Sequence, residues 1–477
     1  MKSRILRVNP LARTFVVAIV LLVVLLGVMM GTPASAQSLP NQAPLPNGSG
    51  FLETYNINNA PISLTGVFFQ SLGTNGRSCS SCHLPTEGWS VSATEVQARF
   101  LLTQGLDPIF RTNDGSNCDQ NIDTSTLEGR RKAYSLLLSR GLIRVALPVP
   151  ANAEFTVQKV SNPYGCSDAS TLSMYRRPLP ATNLKFLSTV MSDGRESTPP
   201  STQKITYPDP DTSLLADLAH QAIDATTGHA QGPVPTDAQV QDIVSFETSL
   251  RTAQAIDYVA GFLNENGASG GPVALASQQF FIGINDSFPS SFGLNPSGAP
   301  FDPNIFNLFT AWANSLGRRA SIARGQAVFN SKPITISGVA GINDVEGLPE
   351  SFSGTCGTCH DSPNVGNHSV SAPLNIGVAD VKNPLDLSYL PVFTLKNNIT
   401  HKTVKTTDPG RALITGKWAD IGKAKGPILR GLASRAPYFH NGSAGSLADV
   451  LVFYDERFKI GFTEQEKLDL IAFLSVL

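Results

Sequence analysis

Cys356-Gly357-Thr358-Cys359-His360 is a Cys-x-x-Cys-His pentapeptide, and Cys79-Ser80-Ser81-Cys82-His83 repeats the pattern in the first part of the chain. Two thiols three positions apart can each form a thioether to one vinyl group of a haem, while the adjoining His reaches the iron. A structural zinc site or a redox dithiol would use the cysteines but leave the His after each pair unexplained. With six cysteines in 477 residues, two such pentapeptides point to two covalently bound haem c groups. Cys79, Cys82, Cys356 and Cys359 are then the attachment points, and His83 and His360 the iron ligands.

Residues 1–36 read as an export signal. Lys2, Arg4, Arg7 and Arg13 precede an apolar run from Phe15 to Met30, and Ala34-Ser35-Ala36 offers a cleavage site before Gln37. An uncleaved anchor is the alternative, but the run is shorter than the roughly 20 apolar residues that span a bilayer. No other stretch is apolar for long enough, so the expectation is a periplasmic protein with no membrane span after cleavage. In an oxidising compartment the two remaining cysteines, Cys118 and Cys166, are expected to pair. A net charge of -1 gives no basis for nucleic-acid binding.

The segment from Thr236 to Leu250 aligns without a gap with that from Thr463 to Leu477. Thr236 with Gln239 and Thr463 with Glu466 form capping boxes, and each is followed by Asp, two aliphatics and Phe in register. Each pentapeptide thus has a closing helix at the end of its half. A short apolar helix over Leu64–Leu72 is expected ahead of the first pentapeptide, with its counterpart at Arg324–Phe329. The fold class expected is mainly α, with two tandem cytochrome c-like domains and long loops. The boundaries are 37–260 for the first domain, 261–316 for an ordered linker or insertion, and 317–477 for the second.

Gly426-Pro427-Ile428-Leu429-Arg430-Gly431-Leu432 and Arg435-Ala436-Pro437-Tyr438-Phe439-His440-Asn441-Gly442-Ser443, followed by Leu447 and Tyr454, resemble a segment of the bacterial di-haem cytochrome c peroxidase family. That family includes the methylamine-utilisation enzymes that oxidise protein side chains. Arg177 to Asn183 and Asp193-Gly194-Arg195 match more loosely. The resemblance implies that the first haem meets hydrogen peroxide or another small oxidant. The second haem would relay electrons from a small redox protein, a cytochrome or a copper protein.

The second haem's distal ligand in the family falls here on Tyr454, against His368, His401 or His440 as alternatives. No methionine lies in the second half, so the usual sulfur ligand has no candidate there, and a tyrosinate would favour ferric iron. The catalytic Glu of the family aligns with Gln231, which cannot take a proton; His229, two residues away, can. His229 or His220 could instead ligate the first iron. Arg195 and Arg430 are the expected partners of haem propionates. Ser192 replaces the Trp that relays electrons between the haems. Pro178 replaces an Asn that helps hold calcium, which weakens the case for that ion. Loss of that Trp and Glu keeps a non-enzymatic electron carrier open, and Tyr454 in place of Met keeps open an oxidase or oxygenase acting on an organic or protein substrate.

Overall fold

Thr236 and Gln239 cap one helix reciprocally, side chain to backbone in both directions, and Thr463 and Glu466 cap another in the same way. The computed structural model describes residues 37–120, 122–197, 213–288 and 299–477. The expected signal peptide therefore lies outside the described residues, as do 289–298 of the expected linker. The six longer helices among the described residues are α1 (Ala93–Thr103), α2 (Ser213–Gly228), α3 (Asp237–Ser249), α4 (Gly317–Ser331), α5 (Leu447–Phe458) and α6 (Glu464–Leu474).

The two closing helices do the same work in both halves. In α3, Val240, Ile243, Val244 and Glu247 form the buried face; in α6, Leu470, Phe473 and Leu474 do so. The shared Asp ties each helix to the segment ahead of its pentapeptide. Asp242 accepts from the Val67 amide at 2.8 Å, and Asp469 accepts from Arg324 Nε at 2.8 Å and from Ser321 Oγ at 2.6 Å. Helices α4 and α6 approach so closely at Gly325 that a Cβ there would lie 1.9 Å from the Asp469 carbonyl oxygen, which leaves glycine as the residue that fits.

The mainly α expectation is overturned. Of the described residues, 30% is helix and 17% is strand, the latter in several small sheets. The expected helix over Leu64–Leu72 is a single turn, Val67–Phe69, flanked by Gly66 and Gly73, whereas Arg324–Phe329 lies within the full-length α4. Strands β1 (Gly50–Asn56), β2 (Ile143–Pro148), β3 (Phe155–Ser161), β4 (Thr171–Arg176), β5 (Leu250–Asp257), β6 (Val392–Asn397) and β7 (Thr403–Thr406) supply most of the rest. They pair antiparallel as β1 with β5, β2 with β4, and β3 with β6, which in turn pairs with β7. The β3–β6 pairing, from Phe155↔Asn397 to Ser161↔Val392, joins the two halves across the expected boundary.

Phe68, Trp89, Ile243 and Leu250 centre a core around the first pentapeptide. Phe306, Phe309, Trp312, Phe329 and Phe473 centre another around the second. The aromatic residues of the expected insertion are thus core residues, with Phe306 edge-on to Phe473 at 5.3 Å. Cys118 and Cys166 form the expected disulfide. Among the described residues no helix is long and apolar enough to cross a membrane.

Candidate functional site

Both pentapeptides fold as one tight turn, Cys79–Ser81 and Cys356–Thr358, each with its own reciprocal cap, Ser78 with Ser81 and Thr355 with Thr358. The His amide closes each turn onto the first Cys carbonyl, at 3.1 Å in both. His83 Nδ1 donates to the Trp89 carbonyl at 2.9 Å and His360 Nδ1 to the Gly366 carbonyl at 2.6 Å. A carbonyl only accepts, so each ring carries its proton on Nδ1 and keeps the Nε2 lone pair for a metal. Burial lowers both imidazole pKa values, which keeps that lone pair available.

Burial pushes Cys79, Cys356 and Cys359 up to about 12 and raises Cys82 as well, so without a bound group all four stand as neutral thiols. Among the described residues, Glu196, His220 and Asp224 form a cluster of possible metal ligands outside both turns.

A cavity of about 240 Å³ opens in front of Cys79, Cys82 and His83. Its other walls include Leu218, Ala222, Thr226 and His229 from α2 and the residue after it, with Met191, Ser192 and Arg195. His229 Nδ1 lies 2.5 Å from Asp114 Oδ2, and Arg77 forms an ion pair with the other oxygen of Asp114. Burial alone would raise the Asp114 pKa, yet His229 and Arg77 hold it below the usual carboxylate range. Asp114 therefore remains an acceptor, which orients the imidazole and frees Nε2 for proton transfer. Sequence reading missed Asp114 and Arg77, because nothing in Asn113-Asp114-Gly115 distinguishes it from an ordinary turn.

Other expected residues fall outside this cavity. Gln231 is exposed, accepts from Asn75 Nδ2 at 3.3 Å and does not line it. His220 turns to Glu196 at 2.5 Å. Arg195 does line it, held by Asp193 at 3.2 Å and by Glu196 at 3.5 Å.

A second cavity of about 300 Å³ holds Cys356, Cys359 and His360 together with Tyr454, Phe458 and His440. Tyr454 Oη lies 3.5 Å from His360 Nε2. His360 and Tyr454 are the residues of this cavity that would hold the iron of a haem bound there. His368 is buried against Asp361 at 3.1 Å and His401 is exposed; neither lines the cavity. Arg430, 2% exposed, donates to the Asn364 carbonyl at 2.8 Å, keeps a buried Nε without a hydrogen-bond partner, and lines neither cavity.

The residues that do face both cavities are Arg177, Pro178, Leu179, Pro180, Ser192, Lys425, Pro427, Ile428 and Arg435. Among the described residues no aromatic belongs to this shared wall. Arg177, Lys425 and Arg435 donate to backbone carbonyls there, and no described carboxylate pairs with any of them. Burial pushes Arg177 and Arg435 down to about 10 and Lys425 down to about 8. None of the three has a described carboxylate within ion-pair distance, although Arg177 feels the charge of Glu87 and Lys425 that of Asp193, and all three face apolar cavities where they could receive the carboxylate tails of a haem. Behind the wall a buried chain of charges runs from Arg195 through Asp193, Arg176 and Asp408 to His440, from one cavity to the other.

No protein-family model matches the chain. A cytochrome-c peroxidase of Denitromonas iodatirespirans, IdrP1, is 30% identical over 148 residues, 26% of this chain and 38% of that protein. IdrP2 of the same organism is 32% identical over 134 residues, 26% of this chain and 36% of that protein. The chain thus spans less than two fifths of the curated relatives it matches. A solved MauG-like protein associated with microbial copper homeostasis covers 86% of this chain and 87% of its own, at 16% identity and a TM-score of 0.34. By direct comparison the chain is similar to cytochrome-c peroxidases over about a quarter of its length.

Proposed function

We propose that this chain is an exported di-haem c-type oxidoreductase that reduces hydrogen peroxide at its first haem, using electrons passed through its second. The observation that carries the proposal is the His229–Asp114 pair in the wall of the cavity that also holds His83. Haem iron, when bound, supplies the redox equivalents and the position at which peroxide binds. Nε2 of His229 accepts the peroxide proton and returns it to the departing oxygen, while Asp114, fixed by Arg77, keeps the ring oriented. Water replaces peroxide in the balance H₂O₂ + 2e⁻ + 2H⁺ → 2H₂O, with the electrons drawn from a small cytochrome or copper protein.

His360 and Tyr454 hold the second haem, and Arg177, Lys425 and Arg435 hold the propionates of both. The Cys118–Cys166 disulfide supports an oxidising, periplasmic location. A second reading, oxidation of an organic or protein substrate, draws support from Tyr454, the position where the peroxidases of the resemblance carry Met.

The deciding experiment has two parts. A haem-content assay should return two haems per chain, and ferric electron paramagnetic resonance should show one iron that responds to a small exogenous ligand. Steady-state turnover with peroxide and a reduced donor protein then separates the readings. Two low-spin irons that stay closed after partial reduction would leave an electron carrier.

A further inference from the structure

Glu247, on α3, is 6% exposed and lines the first cavity, and its Oε2 is buried without a hydrogen-bond partner. The internal repeat places Leu474 of α6 at the corresponding position, and Leu474 lines the second cavity. Ile243 and Leu470, one turn earlier, correspond in the same way and line the same two cavities. The fold therefore accepts hydrocarbon at this position, and packing alone gives no reason for a carboxyl group in the first half. Desolvation strongly disfavours its ionised form, and burial pushes its pKa up to about 8.

We infer that Glu247 is a redox-linked proton site of the first haem, binding a proton when the iron gains an electron and releasing it when the electron leaves. The inference rests on the di-haem reading above. An electron added to the iron removes one positive charge from an apolar cavity, which raises the affinity of a nearby carboxylate for a proton. By linkage the proton raises the affinity of the iron for the electron by the same factor. The electron comes from the donor protein and the proton from solvent, and the one bond made or broken is the O–H of the carboxyl group.

Lys425, on the wall of the same cavity and pushed down to about 8, titrates in the same range, so the difference between wild type and Glu247→Gln isolates the carboxyl. Helix α3 packs against α2, the Val67–Phe69 turn and the Leu184–Phe186 turn, whose ionisable groups include Asp217, His220 and Lys185. Burial is the cause of the Glu247 shift. Arg251, just past the helix, donates to the Thr248 and Leu250 carbonyls. The Cys79 thiol feels the Glu247 charge, but haem attachment converts it to a neutral thioether. Across the cavity, His229 and Asp114 are paired with each other.

The test is a spectroelectrochemical titration of the first haem in the holoprotein from pH 6 to pH 10, comparing wild type with Glu247→Gln, Glu247→Leu and Glu247→Asp. In the window where the reduced state holds the proton and the oxidised state does not, each pH unit should weaken electron affinity tenfold, about 59 mV. Glu247→Gln and Glu247→Leu should flatten that slope, and Glu247→Asp should keep it. The leucine variant copies the second half, so the two neutral replacements guard against misfolding of either. A wild-type potential that ignores pH, or an unchanged slope in Glu247→Gln, overturns the assignment alone. A first cavity that carries no haem overturns the di-haem reading and this assignment together.

Discussion

Tyr454 Oη faces His360 Nε2 at 3.5 Å across the second cavity, on a helix that neither of the haem turns adjoins in sequence. Phe439, Phe453 and Phe458 surround the phenol ring, and burial raises its pKa. A phenol in such a place ionises readily only when a metal takes up its oxygen. Tyr454→Phe should therefore leave haem content unchanged, since Cys356 and Cys359 still anchor the group. It should change the spin state of one haem and raise its potential, because a hard anionic ligand that favours ferric iron is gone. An electron paramagnetic resonance spectrum identical to wild type would remove Tyr454 as a ligand.

The His229–Asp114 pair predicts a kinetic split. His229→Ala should cut peroxide turnover by roughly 10²–10⁴, the usual worth of a positioned acid–base group, with both haems retained. Asp114→Asn should cost less, because the imidazole keeps a hydrogen-bond partner there but loses the charge that steadies it. Gln231→Ala, outside the cavity, should leave turnover at the wild-type level. Steady-state assays with one reduced donor protein compare all three.

The parts of this site that were legible in sequence are the local ones. Each haem turn is encoded within five residues, and each closing helix announces itself through a capping box and a register of Asp, two aliphatics and Phe. Tyr454 was reachable because it lies fourteen residues past His440 in a motif without gaps. What failed was long-range. The β3–β6 pairing joins residues 155–161 to 392–397, and nothing local in either strand names its partner. The basic residues of the shared wall, Arg177, Lys425 and Arg435, come from separate segments, so no local pattern brings them together. The helix expected at Leu64–Leu72 shortens to one turn because its apolar residues are bracketed by Gly66 and Gly73, and a Cβ at Gly73 would strike the Ala230 carbonyl oxygen.

Ser192 stands where both cavities meet, and no described aromatic shares that wall. Ser192→Trp should place a π-system between the haems and speed electron transfer from one to the other. Flash-induced reduction of one haem, followed at the wavelength of the other, measures the rate. A rate no faster than wild type would mean that the wall itself, through Pro427 and Ile428, already carries the electron.

The Cys118–Cys166 bridge closes a separation of 48 residues. A loop of that size is worth roughly 4 kcal/mol in the chain-entropy account. The double variant Cys118→Ser with Cys166→Ser should lose about that much in denaturant unfolding of the holoprotein. Its haem spectra should stay unchanged, because the bridge touches neither cavity.

Arg176 binds Asp408 through two hydrogen bonds of 2.7 and 2.9 Å and forms an ion pair with Asp193, so one buried guanidinium ties residues from both halves of the chain. Burial would raise both carboxyl pKa values, but Arg176 lowers both, with Arg195 also acting on Asp193, which comes down to about 2. The folded pKa of Asp193 thus lies below its unfolded value of about 3.9. Its stabilisation is complete above that unfolded value and is lost as pH falls from about 4 through about 2. The window predicts about 2 kcal/mol lost from this carboxyl on acidification, and Asp193→Asn should remove that pH dependence. Arg176→Met should cost more, about 3–5 kcal/mol, because it takes the shared guanidinium from two buried carboxylates and leaves Asp193 only Arg195 and Asp408 only His440. Urea unfolding at pH 7 and pH 3 separates the two effects. If Arg176→Met proves no less stable than Asp193→Asn at pH 7, the network does not hold the halves together and the β3–β6 pairing must.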